Sequence, residues 1–138
     1  MLIYVDGAAR GNPGPAGAGA VLMDAIGKVV AQVSAYLGEC TNNVAEYKAL
    51  ELALQKALEM GARAVRVRTD SALMARQLNG QFRVKNGNLV PLHQRVSALV
   101  AQFERFAIEE VPREANKKAD VLANNAIDAA LASERSGS

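Results

Sequence analysis

The chain opens on an unbroken apolar run, Met1-Leu2-Ile3-Tyr4-Val5, closed by Asp6. With no polar alternation, residues 1–6 read as a strand buried on both faces. Gly7 to Gly17 reads as a loop, dense in turn formers through Gly11-Asn12-Pro13-Gly14-Pro15. Ala18 to Met23 form a second, short apolar strand, and Asp24 to Gly27 a turn. Val29, Ala31, Val33, Ala35 and Leu37 then alternate with Lys28, Gln32 and Ser34, the mark of a half-buried strand. Three strands in succession on short links predict an antiparallel meander.

The period turns helical after Thr41. Tyr47, Leu50, Leu54 and Leu58 form one stripe and Ala45, Ala49, Ala53 and Ala57 another, with Gly61 as the stop signal. Ala64 to Thr69 is the next strand, Ser71 to Leu78 a short helix broken by Asn79-Gly80, and Phe82 to Val90 a polar, ordered loop. Pro91 opens a helix with Leu92, Val96, Leu99, Val100 and Phe103 on its apolar face. Phe106 to Val111 is a fifth strand. Asn116 is placed as the cap of a last helix whose inner face carries Ala123, Ile127, Ala130 and Leu131. The order βββαβααβα predicts an α/β fold, a five-stranded mixed sheet flanked by helices. One domain covers residues 1–132, and residues 133–138 read as a disordered tail. The strands ending at Asp6 and Asp70 are expected to be parallel neighbours. Open sheets build their sites beyond the carboxyl ends of such strands.

Composition narrows the possibilities modestly. Half of the 138 residues are hydrophobic, enough for one core and a monomer, and Trp is absent, so that core is mostly Ala, Val and Leu. The net charge of +2 permits a polyanionic partner without demanding one. Cys40 stands alone, which excludes an internal disulfide and a thiolate metal cluster and points to a reducing, cytoplasmic setting. No apolar stretch is long enough to span a bilayer. A strand pattern starting at Met1 leads to the expectation of no signal peptide.

The candidate chemistry lies in four acids at expected element ends: Asp6, Glu46, Asp70 and Asp120. Each has a plain structural reading. Asn43 with Glu46 matches a capping box, Asp70 could cap the short helix, Asp120 suits a helix dipole, and Asp6 could anchor a turn. Capping, however, does not require two acids to end adjacent central strands. Two like charges ~4 Å apart cost about 4 kcal/mol at an effective dielectric near 20. Cations held between them remove that cost. A set of carboxylates alone selects Mg²⁺, with Mn²⁺ able to substitute, over Zn²⁺. Two such ions ~3.5–4 Å apart can activate water and stabilise a leaving oxygen in phosphodiester cleavage.

Taken in order, Asp6-Gly7 with Gly11-Asn12-Pro13-Gly14, Thr41-Asn42-Asn43-Val44-Ala45-Glu46, Thr69-Asp70-Ser71 and Asn116-Lys117-Lys118-Ala119-Asp120 resemble the type 1 ribonuclease H family from residue 1 to about residue 131. The resemblance implies an endonuclease that cuts the RNA strand of RNA–DNA hybrids and leaves 5′-phosphate ends. It implies a metal site at Asp6, Glu46, Asp70 and Asp120. It also implies substrate contacts from Gly7, Asn12, Thr41, Asn42 and Asn43. Gly7 and Asn12 lie on the first loop, Asn43 at a minor-groove position, and the Thr41 hydroxyl where a DNA phosphate would meet a helix N-terminus. Turn-shaping and capping remain the plain alternatives for Gly7, Asn12 and Thr41.

The chain departs from that family in two places. Many members carry a His seven residues before the last aspartate, where this chain has Arg113. Arg stays protonated and is no base, so Arg113 is expected to contact the cleaved phosphate, to help expel product, or to be a solvated loop charge. The single His93 is expected to be packed or at the surface. The basic helical protrusion of better-known members is missing, with only Arg83 and Lys85 between Asn79 and Leu89. Substrate affinity is then expected to lean on groups such as Lys117 and Lys118, and no hybrid-binding domain is expected before Met1. Two alternatives stay open: a broader nuclease that also cuts double-stranded RNA, and a nucleic-acid-binding module without turnover.

Overall fold

The computed structural model describes residues 1–136. Five strands form one mixed sheet: β1 Leu2–Ala9, β2 Gly14–Met23, β3 Val29–Cys40, β4 Ala64–Thr69 and β5 Arg105–Glu110. Their spatial order is β3-β2-β1-β4-β5. The first three pair antiparallel, and β1·β4 and β4·β5 pair parallel. Four helices cover it: α1 Asn42–Glu59, α2 Ala72–Leu78, α3 Val90–Val100 and α4 Lys117–Ser136, the last preceded by a single 3₁₀ turn, Arg113–Asn116. Mixed pairing and element order both match the pattern expected of the sequence. No helix among the described residues is long and apolar enough to cross a membrane.

The two faces of the sheet are covered differently. On one, Ile3, Val5, Leu22 and Val67 meet the helical stripe Tyr47, Leu50 and Leu54, all fully buried. The alanines of α1 let it lie close to β1, and α3 backs onto α1. On the other face α4 crosses β2, β3 and β1. It comes so near that a Cβ added at Gly19 would stand 2.0 Å from the Ala119 carbonyl oxygen and 2.7 Å from the Ala123 nitrogen. Gly19 is therefore required for close approach, not for a turn.

Several expectations shift. β1 does not stop at Asp6 but runs three residues further, and β2 starts at Gly14, because the predicted loop is a long hairpin whose outer rungs pair Gly7 with Ala18 and Ala9 with Ala16. Nor is β1 buried on both faces. Leu2 and Tyr4 are half-buried, since α4 leaves that end of its face uncovered, and the Tyr4 hydroxyl accepts from Arg68 Nη1 at 2.7 Å. Asn116 is no cap. It is buried, and its Nδ2 donates to the Val5 carbonyl at 2.8 Å. The helix α4 continues through Ser133-Glu134-Arg135 to Ser136, where a disordered tail was expected. Nothing in that stretch breaks a helix. The remainder of the expected tail, Gly137 and Ser138, lies outside the described residues.

Gly19→Ala is expected to lower stability by about 2 kcal/mol or more, because its neighbours in α4 are backbone and cannot give way. Urea unfolding should show a lower midpoint with unchanged slope. A midpoint equal to that of the unaltered protein would mean that α4 shifts freely.

Candidate metal centre

Parallel register creates the site. Val5 pairs with Thr69, so the next residues, Asp6 and Asp70, emerge side by side at the centre of the sheet. Glu46 arrives from the first turns of α1. A Cβ on Gly7 would lie 2.2 Å from the Ala45 carbonyl carbon and 2.3 Å from the Glu46 nitrogen, so only glycine lets helix and strand meet there. The Gly7 N–H donates to Glu46 Oε1. One carboxylate oxygen from each of Asp6, Glu46 and Asp70 lies within 4.8 Å of the other two. Asp120, exposed in the first turn of α4, and Arg113, in the 3₁₀ turn, border the same cleft of ≈ 470 Å³.

The plain structural readings of three of these acids do not hold. Thr41, not Asn43, is the N-cap of α1, its hydroxyl accepting from Val44 N at 3.3 Å. Ser71, not Asp70, caps α2, accepting from Met74 N at 3.2 Å. Asp6 lies within β1 and anchors no turn. Capping duties fall to hydroxyls, and the carboxylates are left facing one another.

That crowding moves their protonation. Burial, then the Asp70 charge and the neighbouring Asp120, push Asp6 up to about 8, with Arg113 pulling the other way. Burial holds Glu46 well above the usual carboxylate range, helped by Asp6 and opposed by the Gly7 N–H. Asp70 is also raised, by burial first, while Arg113 and Asn116 beside it act in opposition. Oxygen donors alone, partly buried and mutually repelling, suit a hard divalent cation.

A family model described as reverse transcriptase-like matches residues 4–126. Ribonuclease H1 of Halobacterium salinarum has a solved structure that superposes at a TM-score of 0.90 with 42% identity, over 92% of this chain and 96% of that one. The chain belongs to the ribonuclease H family. LC11 ribonuclease H1, solved in complex with an RNA/DNA hybrid, is 43% identical at a TM-score of 0.90, over 94% and 98% of the two chains. A bifunctional protein of Mycobacterium tuberculosis is 45% identical over 96% of this chain. The chain spans 37% of the length of that protein and of its other mycobacterial counterparts.

Within this ribonuclease H domain, Gly7, Asn42 and Asn43 line the acid cleft, as do Ala8, Ala9 and Ser71, which pattern reading did not single out. Asn12 sits behind it: its Oδ1 accepts from Asn42 N at 3.1 Å. Thr41 borders a neighbouring groove with Lys48 and Arg95. Lys117 and Lys118 do not enter the cleft but line a separate hollow with Tyr4, Val21 and Met23. In a helix of 3.6 residues per turn, Lys118 points away from Asp120 two positions on. His93 packs edge-on against Tyr47, ring centres 6.2 Å apart, and takes no part in the cleft.

The raised carboxylates fix a pH dependence. Asp6 binds its proton more tightly folded, near 8, than at its ordinary 3.8. The stability this contributes is complete below the lower value and lost as pH rises through the upper one. The metal-free midpoint should therefore fall from about pH 4 to about pH 8 and level off above it. Asp70→Asn should flatten that fall and raise the midpoint at the alkaline end by roughly 3 °C or more. Calorimetry in chelator checks both, and a flat profile for the unaltered protein would show that these acids do not share one charged environment.

Proposed function

We propose that the chain is a divalent-cation-dependent endonuclease that cleaves the RNA strand of RNA–DNA hybrids and leaves 5′-phosphate ends. The observation that carries this reading is the Asp6–Glu46–Asp70 cluster, with one oxygen of each within 4.8 Å of the other two. A fold has no use for three mutually repelling carboxylates in a partly buried cleft, and a binder of polyanions is hindered by them. The 43% identical LC11 enzyme, which binds an RNA/DNA hybrid, supports the choice of substrate.

Asp6, Glu46, Asp70 and Asp120 are the residues that would hold Mg²⁺, or Mn²⁺ in its place. Ions so held would supply Lewis acidity for water activation and for the charge on the leaving oxygen. The chain's own groups do the rest. Gly7 fixes Glu46 through its N–H and lines the cleft wall along which a nucleic-acid backbone would pass. Asn42 and Asn43 offer amides at the rim for nucleotide edges in the minor groove. The Thr41 oxygen is taken by the cap, but its hydroxyl hydrogen remains to meet a DNA phosphate. Asn12 acts indirectly, by holding Asn42.

Arg113 brings a donor-only guanidinium to the cleft. Its role is to receive a non-bridging oxygen of the cut phosphate and to ease product departure, not to accept a proton. Lys117 and Lys118, off the cleft, contribute attraction at longer range. Selection of hybrids rests on groove shape and the RNA 2′-hydroxyl and not on base sequence. A single core and a lone Cys40 favour a monomer at work in the cytoplasm.

The deciding experiment incubates the protein with labelled hybrid, RNA duplex and DNA duplex, each with Mg²⁺ and with Mn²⁺. Cleavage of the hybrid alone, abolished by Asp70→Asn with the fold retained, is the expected result. Cutting of the RNA duplex would instead establish the broader nuclease, and binding without cutting a module without turnover. Undiminished cleavage by Asp70→Asn would refute the site. Arg113→Ala should lower kcat on the order of 10–100-fold with KM little changed, and Arg113→Lys should fall between. Equal kcat for all three would reduce Arg113 to a solvated charge.

A further inference from the structure

Asp120 differs from the other three acids. It is exposed, where Asp6 and Glu46 are buried and Asp70 is half-buried. What holds it is Asn124, one turn further along α4. The Asn124 Nδ2 donates to Asp120 Oδ1 at 3.1 Å and to the Asp120 carbonyl at 3.0 Å.

The other end of that amide is also occupied. Arg10 Nη2 donates to Asn124 Oδ1 at 3.2 Å and to its carbonyl at 3.4 Å, while Arg10 Nη1 pairs with Asp128 at 2.7 Å. A guanidinium carries donors only. The amide oxygen must therefore face Arg10, which turns the NH₂ group toward Asp120. Arg10 and the acceptor-only Asp120 carbonyl thus fix the same orientation of Asn124 from its two ends.

Arg10 lies in the β1–β2 connection, which is tied on its opposite side to the start of α1. Ala9 N donates to Asn42 Oδ1 at 3.0 Å, and Asn12 Oδ1 accepts from Asn42 N. The hairpin is fastened to the helix of Glu46 and to the helix of Asp120 at once. Neither Arg10 nor Asn124 lines the acid cleft.

We propose that Asn124 is a positioning residue for Asp120 and that Arg10, through Asn124, sets the cation affinity of the site from outside it. This rests on the metal-dependent reading above. An Asp–Asn pair one turn apart is common on helix surfaces. Here Arg10 also grips the far end of the amide, which anchors the pair to the β1–β2 connection. Groups that orient a metal-binding carboxylate typically alter affinity or activity 10–100-fold when removed.

The test is calorimetric titration of Mg²⁺ and of Mn²⁺ into the full chain, alongside thermal unfolding in chelator. Asn124→Ala should weaken cation binding about 10–100-fold while leaving the metal-free midpoint unmoved. Hybrid cleavage should fall at limiting Mg²⁺ and recover at saturating Mg²⁺, with KM for the hybrid unchanged. Asn124→Gln, which can still reach back one turn, should restore most of the affinity. Arg10→Ala should weaken binding less, and the double variant should be no worse than Asn124→Ala within about twofold, because the two act in series. Equal cation affinity in Asn124→Ala and the unaltered protein would overturn the proposal. Additive losses would overturn the part given to Arg10. No cation uptake by the unaltered protein would remove the metal-dependent reading itself, and this inference with it.

Discussion

Parallel pairing of β1 with β4 leaves Asp6 and Asp70 no way to separate. The rung joining Val5 to Thr69 places the two following carboxylates side by side, and the approach of α1 at Gly7 adds a third. Backbone hydrogen bonds and a fully buried core hold this arrangement against its own repulsion. The chain relieves the strain by partial protonation, by the Gly7 N–H and by Arg113 nearby. The remainder of the site follows from that first constraint: where Glu46 must come from, why a cation belongs there, and why Asp120 approaches from a separate helix.

Local structure is satisfied by other residues, and this frees the acids. Thr41 and Ser71 cap α1 and α2 with hydroxyls that cost nothing in charge. Had Glu46 or Asp70 been needed for capping, its oxygens would have been turned to its own helix and withdrawn from the cleft.

Much of this was legible in the residues. Strand and helix periods gave the element order, and the parallel placement of the strands carrying Asp6 and Asp70 followed from it. The ordered motifs pointed to the family to which the chain belongs. What escaped prediction depended on pairing at a distance. The extension of β1 and β2 through a glycine- and proline-rich segment is produced by cross-strand rungs that local turn preference opposes. Asn116 looked like a cap because caps are local. Its partner is the Val5 carbonyl, 111 residues away. Lys117 and Lys118 are near Asp120 in sequence, yet both line a different hollow, and helical rotation turns Lys118 aside. Asn124 was visible only as an asparagine one turn after an acid, and nothing in that spacing announces Arg10.

The contact at Gly7 has a wider consequence. Helix and strand touch there backbone to backbone, with no compliant side chain between them. Enlarging one of the alanines along α1 would lift the helix as a whole, and Glu46 would leave its seat with it. Packing and chemistry are thus geared together, so the interior of this domain is poorly placed to drift in volume over evolution, even where extra bulk would add stability.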